Sequence, residues 1–572
     1  MLLGLVTVAA FRLERTQEGF LIGDEATYLM AAESLAWDFD LRYSAEDHAR
    51  FAQTWSDPPD LILLSPDDGV RLSYGKPFYY SLFLAPFVRL APEHGAPVAN
   101  SLLLVLASLT AAAALNRKWS PLGPVVVAVF VFCSVTFSHV FWIHADLFLM
   151  TATAVSLFVG LRPPKKETQR RARVERSGSL GARTASFLVG ISAGRWLLVG
   201  FLAALLGSSR PFYFVVLLPL LVVGARTSRT RATLLLCTVG CVALLALTQF
   251  LATGAWTAYG AERRGFTPET GYPYADFPAE EWPSHIERFG NFTWMKVGAI
   301  TPQLDTSLFA MNGLYFLLGK NVGLLPYFLP LFLPLLLGFR RSERWSFLLA
   351  LAIAIVGFLL LRPFNFYGGE GSLANRYFLP LYPLFWFLPT RRPPLAVLAV
   401  TGLAASLFLL PLWAEPGAPK IRRSEPSGRL EYRYMSGIAQ QFLPHEASQK
   451  FLRAVGVGDV GYNRSWLRFL DHHVVHRPGD EFLELRGSGS ILLGFTKRPR
   501  GLRIAVPDDG SSVEARHRFA SASIQPGESV DLTLGMPSAY HPMWWPSKPS
   551  YLYRVRLLSS AESTRLTFQP LF

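Results

Sequence analysis

Apolar residues run without a charge through Val98–Leu115, Leu234–Leu251, Trp345–Leu361 and Leu395–Trp413. Each run is close to the ~20 residues with which a helix crosses a ~30 Å hydrocarbon layer. Lipid offers no partner to free backbone groups, so a helix is the only open segment that can cross. Short basic stretches separate the runs: Arg117 with Lys118, nine basic residues in Arg162–Arg195, Arg226 to Arg231, Arg340 to Arg344, and Arg391 with Arg392. Placing all five on the cytoplasmic side follows the positive-inside rule and forces the intervening segments to cross in pairs. The pattern predicts an α-helical polytopic membrane protein of about eleven spans. They fall near 1–13, 98–115, 122–141, 146–161, 196–208, 211–224, 232–253, 320–339, 345–361, 376–390 and 394–413. The N-terminus is then cytoplasmic, and the large segments 14–97 and 254–319 lie outside. Met1–Leu13 reaches only about 20 Å as a helix, so it reads as the end of a span that starts upstream. Pro77–Leu90, apolar but short, suits an interfacial or re-entrant helix.

The pattern changes after Trp413. Glu415–Ser427 is rich in Pro, Gly and charge and reads as a linker. Glu446–Val455 fits a short helix. Ser490–Phe495, Leu502–Val506, Val513–Phe519, Val530–Leu534 and Tyr551–Leu558 then alternate as strands do, with a turn at Asp508-Asp509-Gly510. Residues 414–572 are therefore expected to form an extracytoplasmic β-sandwich-like domain. Arg170–Arg183, basic and Ser/Gly-rich, reads as disordered.

Composition agrees with a membrane protein: 51% of the 572 residues are hydrophobic and 17% charged, against roughly 25% charged in soluble domains. The net charge of +14 lies in loops between apolar runs, which argues against a nucleic-acid partner. Cys133, Cys237 and Cys241 all sit in apolar runs and offer neither disulfide nor metal spacing.

The candidate chemistry gathers in the outer loops. Asp24 and Glu25 open a helical pattern just outside the membrane; a carboxylate there is a general base or merely a helix N-cap. Tyr74-Gly75-Lys76-Pro77 places a lysine before the interfacial helix, to hold a phosphate or to snorkel. Asp146, after His139 and His144, opens a later span and has the same two readings as Asp24. The histidines read as interfacial polar groups. Arg210 between two short spans breaks the charge rule, and an arginine in the bilayer is functional by default. In Asn365–Tyr377 the glycines, among them Gly368 and Gly369, allow close approach to a ligand. Asn375, Arg376 and Tyr377 close that loop. Arg376 at a helix N-terminus opposes the helix dipole, a conflict that a bound anion or Glu370 would repair. Asp471 with His472, His473 and His476 reads as a solvated cluster. Trp544 and Trp545 fit interfacial anchors or a carbohydrate platform. Asn291-Phe292-Thr293 and Asn463-Arg464-Ser465 match only a weak glycosylation pattern.

Together these motifs resemble the GT-C superfamily of membrane glycosyltransferases that use polyprenyl-phosphate sugars, including protein O-mannosyltransferases and lipid A aminoarabinose transferases. The Asp24-Glu25 pair is similar to the group's acidic motif in the first outer loop. Gly75-Lys76-Pro77 resembles the lysine–proline step that follows it, and Asp146 matches a further acidic position. The resemblance covers roughly Met1 to Trp413. It implies an inverting transferase at the outer face of a bacterial inner membrane, with a lipid-linked sugar donor and a glycan, lipid or protein acceptor. Asp24, Glu25 and Asp146 would be catalytic, with Lys76, Arg210 and Arg376 on the donor phosphate. Tyr74, Gly368, Gly369, Asn375 and Tyr377 would line the substrate. No metal or other cofactor is expected, a divalent ion at Asp24, Glu25 and Asp146 being the alternative. A flippase for a lipid-linked intermediate is the competing reading. The loop between Asp24 and Lys76 is longer than in the best-known relatives, and the C-terminal domain matches no defined catalytic module.

Overall fold

The computed structural model describes residues 21–119, 122–161, 181–278, 306–337, 344–417 and 457–571, with short breaks inside these ranges and a few further positions between 436 and 443. The expected helices at 1–13 and 446–455, the His472 cluster, Trp544, Trp545, both sequons, Gly369 and Glu370 lie outside the described residues. The chain divides into two compact units. The first comprises Met1–Thr301, Phe328–Phe358 and Arg376–Ser406; the second comprises Pro302–Tyr327, Leu359–Asn375 and Leu407–Phe572. The second unit thus takes more than the 414–572 read from the sequence.

The first unit opens with α1 (Glu25–Trp37), α2 (Ala45–Trp55), β1 (Leu61–Ser65), β2 (Ser73–Tyr74) and α3 (Tyr79–Leu90). Helix α1 is buried nearly all round, carboxylates included, so it lacks the polar stripe of a surface helix. Helix α2 does carry a stripe, burying Asp47, His48, Phe51 and Trp55 at helical spacing. Ser44 starts it: its Oγ accepts from Asp47 N–H, and Asp47 Oδ2 accepts from Ser44 N–H, a reciprocal cap. Strand β1 pairs with β2 and with β3 (Glu262–Phe266), joining the segments 14–97 and 254–319 in one antiparallel sheet. Ile62 N–H of β1 donates to Thr27 Oγ1, and Ser81 Oγ of α3 donates to Tyr28 O, so both elements are tied to α1.

The helical part follows with α4 (Gly95–Trp119), α5 (Gly123–Phe132), α6 (Ala145–Gly160), α7 (Gly181–Ser209) and α8 (Ser228–Thr253). Beyond these, α9 (Thr306–Leu318) belongs to the second unit, while α10 (Trp345–Leu361) and α11 (Leu395–Ala414) each begin in the first unit and end in the second. Among the described residues three stretches, Gly95–Asn116, Ser228–Thr253 and Leu395–Ala414, are long and apolar enough to cross a membrane. A fourth is added if α5 and the 3₁₀ helix Val135–Phe141, which meet at 68°, form one broken span. Some other expected spans appear as single shorter apolar helices, such as Ala145–Gly160 and Trp345–Leu361, and others appear in pieces. Residues 211–224 combine 3₁₀, α and π turns, and among its described residues the run expected at 376–390 holds only Leu379–Leu381 and Pro383–Phe387 as helix. Prolines explain the breaks: Pro211, Pro219, Pro330, Pro380 and Pro383 each remove a backbone donor. The basic loop expected to run to Arg195 ends earlier, because α7 begins at Gly181.

In the second unit the strands form two antiparallel sheets. One follows the order β11 (Ala520–Ile524), β10 (Val513–His517), β14 (Ser550–Ser559), β8 (Ser488–Phe495), β5 (Trp466–Leu470), β4 (Val457–Gly458), with β13 (Ala539–His541) also on β14. The other runs β12 (Ser529–Thr533), β9 (Gly501–Ala505), β15 (Thr564–Leu571), β7 (Leu483–Leu485), β6 (Val474–Val475). Alternate residues of both sheets, including Ile491, Leu493, Ile504, Ala515, Leu532, Val555 and Leu566, make one core. The Asp508-Asp509-Gly510 turn is present, Gly510 N–H donating to Pro507 O. It joins β9 to β10, which lie in different sheets, so it is a crossover between sheets and not a hairpin.

Candidate functional site

Asp24 precedes α1, but its side chain makes no capping bond. Its Oδ2 instead lies 2.5 Å from Lys76 Nζ, just before α3. The N-cap and snorkelling readings therefore both give way to an ion pair. Burial alone would raise the Asp24 carboxyl; Lys76 and Arg376 outweigh it and hold the carboxyl well below its usual range. Burial pulls Lys76 down to about 8, against the attraction of Asp24 and helped by Arg263 and Arg376. The Lys76 ammonium also stands 5.9 Å from the Tyr28 ring centroid.

Asp146, in the first turn of α6, is fully buried. Its Oδ1 accepts from Arg210 at 2.8 Å. Arg210 also donates to Tyr213 Oη at 2.8 Å and lies 4.1 Å from the Tyr377 ring centroid. Tyr213 in turn donates to Tyr377 O. Removing either member of such a pair strands a buried charge at a cost of roughly 3–5 kcal/mol.

Arg376 lies between the two pairs. Its NH2 is 3.9 Å from Asp24 Oδ2 and its Nε 3.9 Å from Asp146 Oδ2. Its NH1 meets His144 Nε2 at 2.6 Å. Each carboxylate has a closer cation, so Arg376 is the charge held in reserve. Three cations face two carboxylates, an imbalance that suits an anionic ligand. Contacts between α6 and Leu379–Leu381, just past Arg376, hold this segment in place.

The other expected residues are placed differently. Glu25 is fully buried, and its Oε1 accepts Ile143 N–H at 2.6 Å, which ties α1 to the segment before α6. Tyr74 packs against Tyr43, the ring centroids 6.0 Å apart. Gly368 takes a left-handed φ of 101°, and Asn375 Nδ2 donates to Phe366 O; both belong to the second unit. Among the described residues, no group of three or more His, Cys, Asp or Glu side chains is placed to hold a metal ion.

Sequence reasoning missed three participants. His144 touches Arg376 and packs edge-on to Tyr28, the centroids 5.4 Å apart. Tyr28 lies one helical turn after Asp24, and that i, i+4 spacing was a usable signal. Arg263 on β3 is buried near Lys76, and only the pairing of β1 with β3 brings it there. The chain matches no protein-family model, no curated protein and no solved structure.

Proposed function

We propose that the chain is an inverting glycosyltransferase that moves a sugar from a polyprenyl-phosphate donor to an acceptor hydroxyl or amine at the outer face of a bacterial inner membrane. The observation that carries this reading is the meeting of Asp24, Lys76, Arg376, Asp146 and Arg210, from distant parts of the sequence, in one half-buried site. Charges at this site stand at the ends of apolar helices: Asp24 precedes α1, Asp146 opens α6 and Arg210 follows α7. A flippase path would distribute charge along the spans instead. The reading retains the eleven-span arrangement, with bent and broken helices counted as spans, and an extracytoplasmic second unit.

The chemistry follows from the pairing. Lys76 and Arg376 bind the donor phosphate, and Asp24 accepts the proton of the acceptor O–H or N–H. The acceptor oxygen or nitrogen bonds to the anomeric carbon as that carbon's bond to the phosphate oxygen breaks. The bonding pair leaves on polyprenyl phosphate, whose charge the two cations stabilise. In the resting site Lys76 makes Asp24 a poor base. A donor phosphate that draws Lys76 away raises the Asp24 carboxyl toward useful basicity when the sugar is in place.

The test is incubation of the purified chain, in lipid nanodiscs, with a panel of labelled polyprenyl-phosphate sugars and a mixed envelope extract as acceptor. Transfer is expected from the wild type and is expected to be lost in Asp24→Asn and Lys76→Ala with the thermal melt retained. Wild-type rates in both variants, or movement of the intact donor across the bilayer without cleavage, would reject the reading.

A further inference from the structure

Among the described residues, three buried atoms at the Asp146 carboxylate lack a hydrogen-bond partner: Asp146 Oδ2, His144 Nδ1 and Arg376 Nε. Both nitrogens lie 3.9 Å from that oxygen. This separation is too long for a direct bond, but an oxygen atom seated beside Asp146 Oδ2 can reach either nitrogen at about 2.8–3.0 Å. Buried polar groups are otherwise nearly always satisfied, so three orphans around one oxygen call for an occupant.

The donor set specifies that occupant. Arginine only donates, so the 2.6 Å contact between Arg376 NH1 and His144 Nε2 makes Nε2 an acceptor. The ring stays neutral, since burial and the Arg376 charge hold His144 well below its usual range. Its single proton therefore sits on Nδ1. Asp146 Oδ1 is occupied by Arg210, and Oδ2 can only accept. The three orphans thus present two donors, His144 Nδ1–H and Arg376 Nε–H, and one acceptor. A hydroxyl group is their complement, because it accepts two bonds and donates one. A phosphate oxygen or a halide would meet the carboxylate, and an ammonium would meet the guanidinium.

We propose that Asp146, His144 and Arg376 form a subsite for a single hydroxyl, filled by water at rest and by one hydroxyl of the incoming substrate in the complex. The subsite adjoins the candidate active site through Arg376, whose NH2 lies 3.9 Å from Asp24. Assigning the hydroxyl to the transferred sugar rests on the glycosyl-transfer reading; the chemistry of the subsite does not. His144 is then a positioning residue for Arg376 as well as a donor to the ligand.

The test is an experimental structure of the full chain in nanodiscs at a resolution that shows waters, alone and with a polyprenyl-phosphate sugar. Binding of deoxy analogues at each sugar position is measured alongside. The expected result is one density peak within hydrogen-bond distance of all three atoms, replaced by a sugar hydroxyl in the complex. The analogue lacking that hydroxyl should bind roughly 10- to 100-fold more weakly. In Asp146→Asn the amide oxygen keeps Arg210 and the amide nitrogen turns the acceptor into a donor. All three groups then donate, so in bromide-soaked crystals of the full chain anomalous scattering should place bromide there in this variant and not in the wild type. No peak, or direct bonding of Asp146 Oδ2 to either nitrogen, would overturn the subsite. A peak that persists under bound sugar, with no deoxy penalty at any position, would overturn its role toward substrate. If no polyprenyl-phosphate sugar binds, the transferase reading fails, while the ligand-free peak and the bromide experiment still decide the subsite.

Discussion

Glu33 tests whether the burial of α1 is as complete as its packing implies. The side chain is 4% exposed, and Trp55 on α2 is a hydrogen-bond partner for its carboxyl. Burial pushes the carboxyl up to about 8, with Arg50 opposing and the Asp47 charge adding to the rise. A local opening that separates α1 from α2 returns Glu33 to water and to its ordinary value of 4.5. Between pH 4.5 and about 8 the opened form has lost a proton that the closed form keeps. The closed form therefore loses stability as pH rises through this window, and the loss is complete above it. At about 1.4 kcal/mol per pH unit, the full window is worth roughly 5 kcal/mol and the part below pH 7 roughly 3. Glu33→Gln cannot ionise and should abolish the slope. Asp47, raised by burial to about 6, contributes with the same sign and is nearly all ionised by about pH 7, so the interval above pH 7 isolates Glu33. The assay is hydrogen exchange of the α1 amides in nanodiscs, corrected for intrinsic rates. Wild-type protection should fall roughly fivefold between about pH 7 and 8, and Glu33→Gln should be nearly flat there. Equal slopes in the two proteins would refute a proton held on Glu33.

Other perturbations probe single contacts. Arg210→Ala should cost about 3–5 kcal/mol by leaving Asp146 ionised without its close partner, and Asp146→Asn in the same chain should return part of it; thermal melts in detergent read both. Phe39 is 79% exposed and holds a left-handed φ of 60° after α1, a place that favours glycine. Phe39→Gly should therefore gain about 1 kcal/mol by the same melts, whereas Phe39→Ala should not. Gly95→Ala would put a Cβ 2.3 Å from the backbone oxygen of Phe87. The α3–α4 turn must then shift, at about 1–3 kcal/mol, with faster exchange confined to its amides.

The strands at 490–495, 502–506, 513–519, 530–534 and 551–558 were legible because alternation is a local property, and each appears within two residues of its expected bounds. Strand β7 is three residues long, too short for alternation to register, and β15 starts at Thr564 with a polar, mixed sequence. Partnership of sheets was not legible at all: the turn at Gly510 looks the same whether the next strand returns to its neighbour or crosses to the other sheet. The long apolar runs were equally plain, but the prolines at 380 and 383 break a helix that hydropathy alone would carry through. In the site, Asp24 and Lys76 stood out because each is a charge beside an apolar run. His144 did not, because a histidine next to a span has many innocent uses. Its role depends on Arg376, more than two hundred residues away, as the 232-residue separation of the bonded pair records.

The arrangement of charge also says why Arg376, and not Lys76 or Arg210, should respond first to an anion. Lys76 has Asp24 at 2.5 Å and Arg210 has Asp146 at 2.8 Å, so moving either opens a partly or wholly buried pair. Arg376 stands 3.9 Å from both carboxylates, bonds a neutral imidazole and leaves Nε unpartnered. It can meet a ligand without breaking a close ion pair. Once an anion adds its charge beside Arg376, the attraction on the Lys76 ammonium is divided between that anion and Asp24, and the carboxylate is released by degrees. A site built from two closed pairs and one uncommitted cation thus gives its base a low resting basicity, and makes the gain in basicity depend on occupancy.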